Sequence, residues 1–380
     1  MRIFVAFLFM GLLTISDTGF AAPAQPIVVA YVFPRNMILN PDQVDVGKLT
    51  RINFAFANIE DGRIVEGTPR DAQNLALLNG LKSQNPSLTL LVSVGGWLWS
   101  GRFSDMAQTR QSRSQFIESV VAFITRYQLD GLDIDWEYPG QVGAGNPFRA
   151  EDKENYTSLV RELRARFRVA EQTLKRRLYI TVAAGASSAF LEHTEMRKVQ
   201  QFVDTVNLMS YDYYEPSDDQ LTGNHAPLFV DSADPKKISA DRSVREFERA
   251  GVPPGKLVLG VPFYGHVWGQ VPSANNGLFQ SGKPVPNAYA HYGDLANTML
   301  GHGYKRYWDA AASVPYLYNP DFQTFVSYED PESLSLKCRY ILRHQLAGIM
   351  FWEYTNDPSG ALLGAIHAGL HRTPARENGR

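Results

Sequence analysis

The sequence predicts an α/β chain folded as a (β/α)8 barrel, with a small α/β insertion between the seventh and eighth strands. Three observations carry this reading. Eight short runs rich in Val, Ile, Leu and Phe recur along the chain, amphipathic stretches of helical period separate most of them, and the interval before the last run is too long for one helix. Alternating strands and helices imply a parallel sheet, which either closes into a barrel or lies open and doubly wound. The open form would usually carry a GxGxxG phosphate turn after an early strand, and the chain has none.

The apolar runs are IVVAYVF from Ile27, RINFAFA from Arg51, LTLLVSV from Leu88, GLDIDWE from Gly131, LYITVAA from Leu178, TVNLMSY from Thr205, KLVLGVP from Lys256 and GIMFWEY from Gly348. Strands buried on both faces read as such continuous runs. Helical periods extend over Asp71 to Ser83, Gln111 to Tyr127, Glu151 to Arg168 and Glu332 to His344. The barrel is thus expected over residues 23–264 and 326–371. Residues 265–325, rich in Tyr, Gly, Pro and Asn, read as the subdomain inserted over the barrel mouth. Residues 372–380 form a polar tail.

Residues 1–22 have the order of a secretory signal peptide: Arg2, an apolar run from Ile3 to Ile15, then small residues before cleavage after Ala21 or Ala22. That run is too short for a comfortable membrane span, and no later segment is long and apolar enough. No cysteine follows it to carry a lipid anchor. The expected product is a secreted, periplasmic or extracellular monomer. Its formal charge of −2 has no basic excess, which argues against nucleic acid and anionic membranes as partners. The single cysteine, Cys338, permits no intrachain disulfide. It shares a helical face with Leu334, Ile341 and Leu342 and reads as a buried structural thiol.

The chemistry concentrates in LDGLDIDWEYPG, from Leu129. Asp133, Asp135 and Glu137 alternate with Leu132, Ile134 and Trp136, so one strand face carries three carboxyls, each roughly 7 Å from the next. Charges that close resist ionising together, so protons are retained at neutral pH. Active sites of such barrels lie at the carboxyl ends of the strands. Glu137 therefore belongs at the mouth, Asp133 deeper and Asp135 between them. Two other readings are a solvent-facing strand and a divalent-metal DxD site. The first suits an antiparallel edge better than a buried barrel strand. The second needs a phosphate substrate, and no phosphate cradle is evident. No His/Cys cluster has ligand spacing, so neither a metal nor a cofactor is expected.

The chain resembles glycoside hydrolase family 18, the chitinases and their relatives. The family's DGxDxDWE is complete as Asp130, Gly131, Asp133, Asp135, Trp136 and Glu137. Its SxGG is Ser93, Gly95 and Gly96, followed by Trp97; its MxYD is Met209, Tyr211 and Asp212; its last-strand tryptophan is Trp352. The resemblance runs from about Ile27 to about Leu370. One departure is YGH at Tyr264 to His266, where many relatives read YGR, which leaves the arginine's contact and fine substrate preference open.

The resemblance implies a retaining glycosidase acting on β-1,4-linked N-acetylglucosamine in chitin or chito-oligosaccharides. Glu137 would be the acid and then the base, with a pKa raised by neighbouring carboxyls. A protein nucleophile would have to face Glu137 across the sugar at about 5–5.5 Å, and Asp135 rises from the same strand and the same side. The substrate's acetamido oxygen would attack instead. Asp135 would hold the acetamido N–H, Asp133 would tune Asp135, and Tyr211 would donate to the acetamido carbonyl. Trp352 would floor the site, with Met209, Asp212, Tyr31 and Phe56 lining it. Trp97 and Trp99 would be stacking platforms on the aglycone side. By strand phase Trp136 belongs to the core, whereas Trp268 and Trp308 fit core or groove. His225 is expected to make a loop hydrogen bond. The alternatives are an endo-β-N-acetylglucosaminidase on N-glycans or another acetamido polymer, and a non-catalytic chitin-binding relative. The last class typically lacks the glutamate present here as Glu137.

Overall fold

The structure, a computed structural model, describes residues 25–371; the expected signal peptide and the last nine residues lie outside them. In chain order the strands are β1 (Ile27–Val32), β2 (Arg51–Glu60), β3 (Arg63–Glu66), β4 (Thr89–Gly95), β5 (Gly131–Asp135), β6 (Tyr179–Gly185), β7 (Thr205–Met209) and β8 (Leu257–Pro262). Then come β9 (Tyr264–Gly269), β10 (Lys283–His291), β11 (Lys305–Asp309), β12 (Val314–Asn319), β13 (Thr324–Ser327) and β14 (Gly348–Trp352). Eight of them pair in parallel in the order β1-β2-β4-β5-β6-β7-β8-β14, and β14 returns to β1 to close the barrel. The eight apolar runs are these eight strands. β3 only extends β2 as an antiparallel hairpin.

Helices cover the outside. The helix Arg110–Arg126 starts where Thr109 and Ser112 form a capping box. Asp330 caps Pro331–His344, with proline at the first helical position, where its missing N–H costs nothing. Between helices and barrel lies one apolar core, including Leu132, Ile134, Phe167 and Phe247. Trp136 belongs to it, stacked on Phe103 at 5.2 Å. Cys338 is buried there too, and burial pushes its thiol up to about 12. No helix among the described residues is long and apolar enough to cross a membrane.

The segment from β9 to β13 folds as an antiparallel sheet in the order β10-β9-β13-β12-β11. Its helical content is short: Tyr292–Asp294 followed by a wide turn at Leu295–Met299. The many tyrosines that mark this segment suit strands better than helices. A separate small core holds the sheet together, and Trp268 is fully buried in it beside Tyr318 and Phe325. Trp308 is half-buried on β11, with the Arg306 guanidinium 5.1 Å from its ring centre.

Candidate active site

Strand register builds the site. Asp133 lies between Ser93 of β4 and Thr181 of β6, with its side chain inside the barrel. Exposure then rises step by step up the same face: 0% for Asp133, 4% for Asp135 and 8% for Glu137. Ladder pairing stops at Asp135, however, so Glu137 does not end the strand as the alternation suggested. It stands in a bend just beyond. Its backbone N–H donates to Ser100 Oγ at 2.9 Å, and its carbonyl accepts from Asn146 Nδ2 at 3.0 Å. The neighbouring turn requires glycine. Gly95 and Gly96 have φ of 108° and 77°. A Cβ on Gly95 would lie 2.2 Å from the Asp135 carbonyl, and one on Gly96 would lie 2.6 Å from the Phe56 ring.

Asp133 is saturated with donors. Oδ2 accepts from Tyr31 at 2.9 Å and Ser93 at 2.8 Å; Oδ1 accepts from Thr181 and, at 3.3 Å, from Asn207. Burial nevertheless raises its pKa, although these bonds and the Arg51 guanidinium pull the other way. Asp135 has the opposite surroundings. Its Oδ1 is buried and has no hydrogen-bond partner among the described residues. Burial first, then Glu137 and Asp133, raise its pKa well above the usual carboxylate range. Burial is also the main reason the Glu137 carboxyl is pushed up to about 8; a hydrogen bond with Tyr138 opposes it, and Asp212 and Glu215 add to it. Desolvation thus outweighs the neighbouring carboxyls that the sequence pattern singled out. A carboxyl in that state carries its proton at neutral pH and can deliver it.

Above this ladder opens a cleft of about 980 Å³. Asp135, Glu137, Tyr211, Met209, Asp212, Tyr31, Phe56, Trp97, Trp99 and Trp352 all line it, and Asp133 lies beneath. Trp352 packs against Phe56 at 5.4 Å and Tyr31 at 6.0 Å. Trp97 is 50% exposed. An aromatic floor and a half-open indole suit the flat apolar faces of a sugar chain.

A model of the glycosyl hydrolases family 18 matches residues 28–357. The chain belongs to family 18. It is 35% identical to chitinase A1 of Niallia circulans, over 93% of its own length and 59% of that protein's. It is 32% identical to chitinase B of Serratia marcescens, over 89% of this chain and 83% of that one. A family 18 N-acetylglucosaminidase from Paenibacillus barengoltzii superposes with a TM-score of 0.83 at 41% identity, covering 90% of this chain and 99% of that one.

Three features of this family 18 site escaped the sequence. Phe33, Tyr138, Glu215, Tyr264 and Tyr289 also line the cleft. They come from loops and from the inserted sheet, where no period marks them. Asn207 reaches the carboxyl ladder only through the closure of the barrel, bonding both Tyr31 and Asp133. The third feature surrounds Asp212, whose φ is 57°. Its Oδ1 accepts from Tyr264 at 2.6 Å and lies 2.8 Å from His266 Nε2, so the histidine of YGH turns its ring onto this carboxylate. Burial pushes the Asp212 carboxyl up, but His225 and His266 outweigh it and hold it well below the usual range. His225 makes its loop hydrogen bonds through its backbone, to Ser327 and Tyr213, and neither ring nitrogen has a partner among the described residues.

Proposed function

We propose that this chain is a secreted chitinase that hydrolyses β-1,4 bonds between N-acetylglucosamine units with retention, using the substrate's own acetamido group. The observation that carries the reading is the pairing of Glu137, pushed up to about 8, with the unpartnered acceptor Asp135 Oδ1 below it. Buried acceptors left without donors are rare, and a substrate N–H arriving there would satisfy this one. Glu137 first protonates the leaving oxygen. Asp135, holding the acetamido N–H, turns the acetamido oxygen toward the anomeric carbon and offsets the positive charge that develops. The Tyr211 hydroxyl donates to the same group. Glu137, now ionised, takes a proton from water, which enters on the face the leaving group vacated. Two inversions give net retention. Asp133, below, tunes Asp135 through its charge and shares in its protonation. The signal-peptide pattern of residues 1–22 supports secretion.

Proton NMR of fresh hydrolysate tests the mechanism. The β-anomer should appear first, and first release of the α-anomer would refute it. A second reading is release of single sugars from chain ends, which the similarity to the Paenibacillus N-acetylglucosaminidase supports. The product profile on defined chito-oligosaccharides separates the two: monosaccharide alone from every length favours the second, and disaccharides or longer products favour the first.

A further inference from the structure

Asp212, His225 and His266 bring one ligand atom each to a single point at the cleft edge, all within 4.8 Å of one another. His266 Nε2 lies 2.8 Å and His225 Nδ1 3.6 Å from Asp212 Oδ1. Bonds of about 2.0–2.1 Å at tetrahedral angles put neighbouring ligand atoms about 3.3 Å apart, between those two distances. The His225 side chain is fully buried; its Nδ1 stands just beyond hydrogen-bond reach of Asp212 Oδ1, and its Nε2 has no partner among the described residues. A buried ring so poorly satisfied needs an explanation, and an ion held between Nδ1 and the Asp212 carboxylate supplies one. Asp212 keeps 32% of its side chain exposed toward the cleft, which gives an ion a way in.

We propose that these three side chains form a binding site for a borderline-soft divalent ion such as Zn²⁺, and that filling it inhibits turnover. Two imidazoles and one carboxylate are a common zinc ligand set, and water or a substrate oxygen would take the fourth position from the cleft. Inhibition follows from charge. The ion recruits Asp212, which lines the cleft, and replaces its negative charge near Glu137 by a positive one, favouring the ionised form that cannot act as acid. The binding half of the proposal is independent of the proposed hydrolysis; the inhibition half rests on it.

Isothermal titration of Zn²⁺ into tag-free protein tests the site. Exposed His371 stacks on His367 at 4.2 Å and offers a competing surface pair, so the titration uses a His367→Ala background. One equivalent should bind. His266→Arg, which can still pair with Asp212 but cannot ligate, should lose more than about 100-fold in affinity, since even outer-sphere partners of a metal are worth 10–100-fold. Inhibition should show the same constant as binding and reverse with EDTA. If His266→Arg fails to fold, the Co²⁺ adduct of the parent decides, because a four-coordinate site gives intense visible bands and a hydrated surface ion only weak ones. No saturable binding up to millimolar Zn²⁺, binding that His266→Arg retains, or only weak Co²⁺ bands would overturn the site. Binding without inhibition would overturn the inhibitory half and leave the proposed hydrolysis untouched.

Discussion

Glu137→Gln should make the protein more stable as well as inactive, and the gain should grow with pH. The Glu137 carboxyl is buried and titrates near 8 instead of near 4.5. Between those two values the unfolded chain releases a proton that the folded chain keeps. The folded state therefore binds more protons, and its stability falls as pH rises. The slope approaches about 1.4 kcal/mol per pH unit, which integrates to a loss on the order of 3 kcal/mol by pH 7, most of it between pH 5 and pH 7. Glutamine keeps the shape and does not titrate, so the variant escapes this loss. Asp133 is common to both proteins, whereas Asp135 loses in the variant the part of its upward shift that Glu137 causes, which widens the gap further. Urea unfolding of both chains at half-unit steps from pH 5 to 9 measures the difference. The gap should widen to about pH 8 and then level off, with unchanged m-values, while the parent's activity declines through the same upper limit. Parallel stabilities across the range would mean that Glu137 ionises normally and that the basis for its role as acid is wrong.

Trp97→Ala should lower turnover of polymer and long oligomers about fivefold, roughly 1 kcal/mol of lost stacking, and barely affect short ones that do not reach it; equal losses on both would make Trp97 structural. Fully deacetylated chitosan and cellulose should resist cleavage, since they lack the internal nucleophile, and efficient release of reducing ends from either would require a second carboxylate. EDTA should leave turnover unchanged, or raise it where buffer zinc occupies the Asp212 site, and a loss restored by one added cation would overturn this.

How much of this was legible depended on the range of the forces involved. The barrel was readable because strands buried on both faces leave continuous apolar runs, as Leu257 to Leu259 do. The carboxyl ladder was readable because Asp133 and Asp135 follow the two-residue period of one strand. Glu137 keeps that period but lies beyond the strand, held by Ser100 and Asn146, and side-chain bonds from distant loops leave no local pattern. The same holds for the Asp212 cluster, whose histidines stand far apart in sequence and meet only because β9 crosses the barrel mouth. The insertion was legible as an interruption, and its tyrosines favour strands, but the antiparallel order of those strands was not, since it is set by contacts between segments distant in sequence.

Ser100 ties together more than its size suggests. Its hydroxyl oxygen lies 2.9 Å from the Gly96 carbonyl, 3.1 Å from the Asp135 carbonyl and 2.9 Å from the Glu137 amide. Trp97 and Trp99 sit on the short arch between Gly96 and Ser100. The platform that meets the polymer and the carboxyl that would break it thus hang from one pin. Tension on the arch, from a chain sliding over Trp97, would be felt directly at Glu137. Exchanging this arch between relatives to alter reach along a polymer would therefore change bond-breaking as well, unless the serine travels with it.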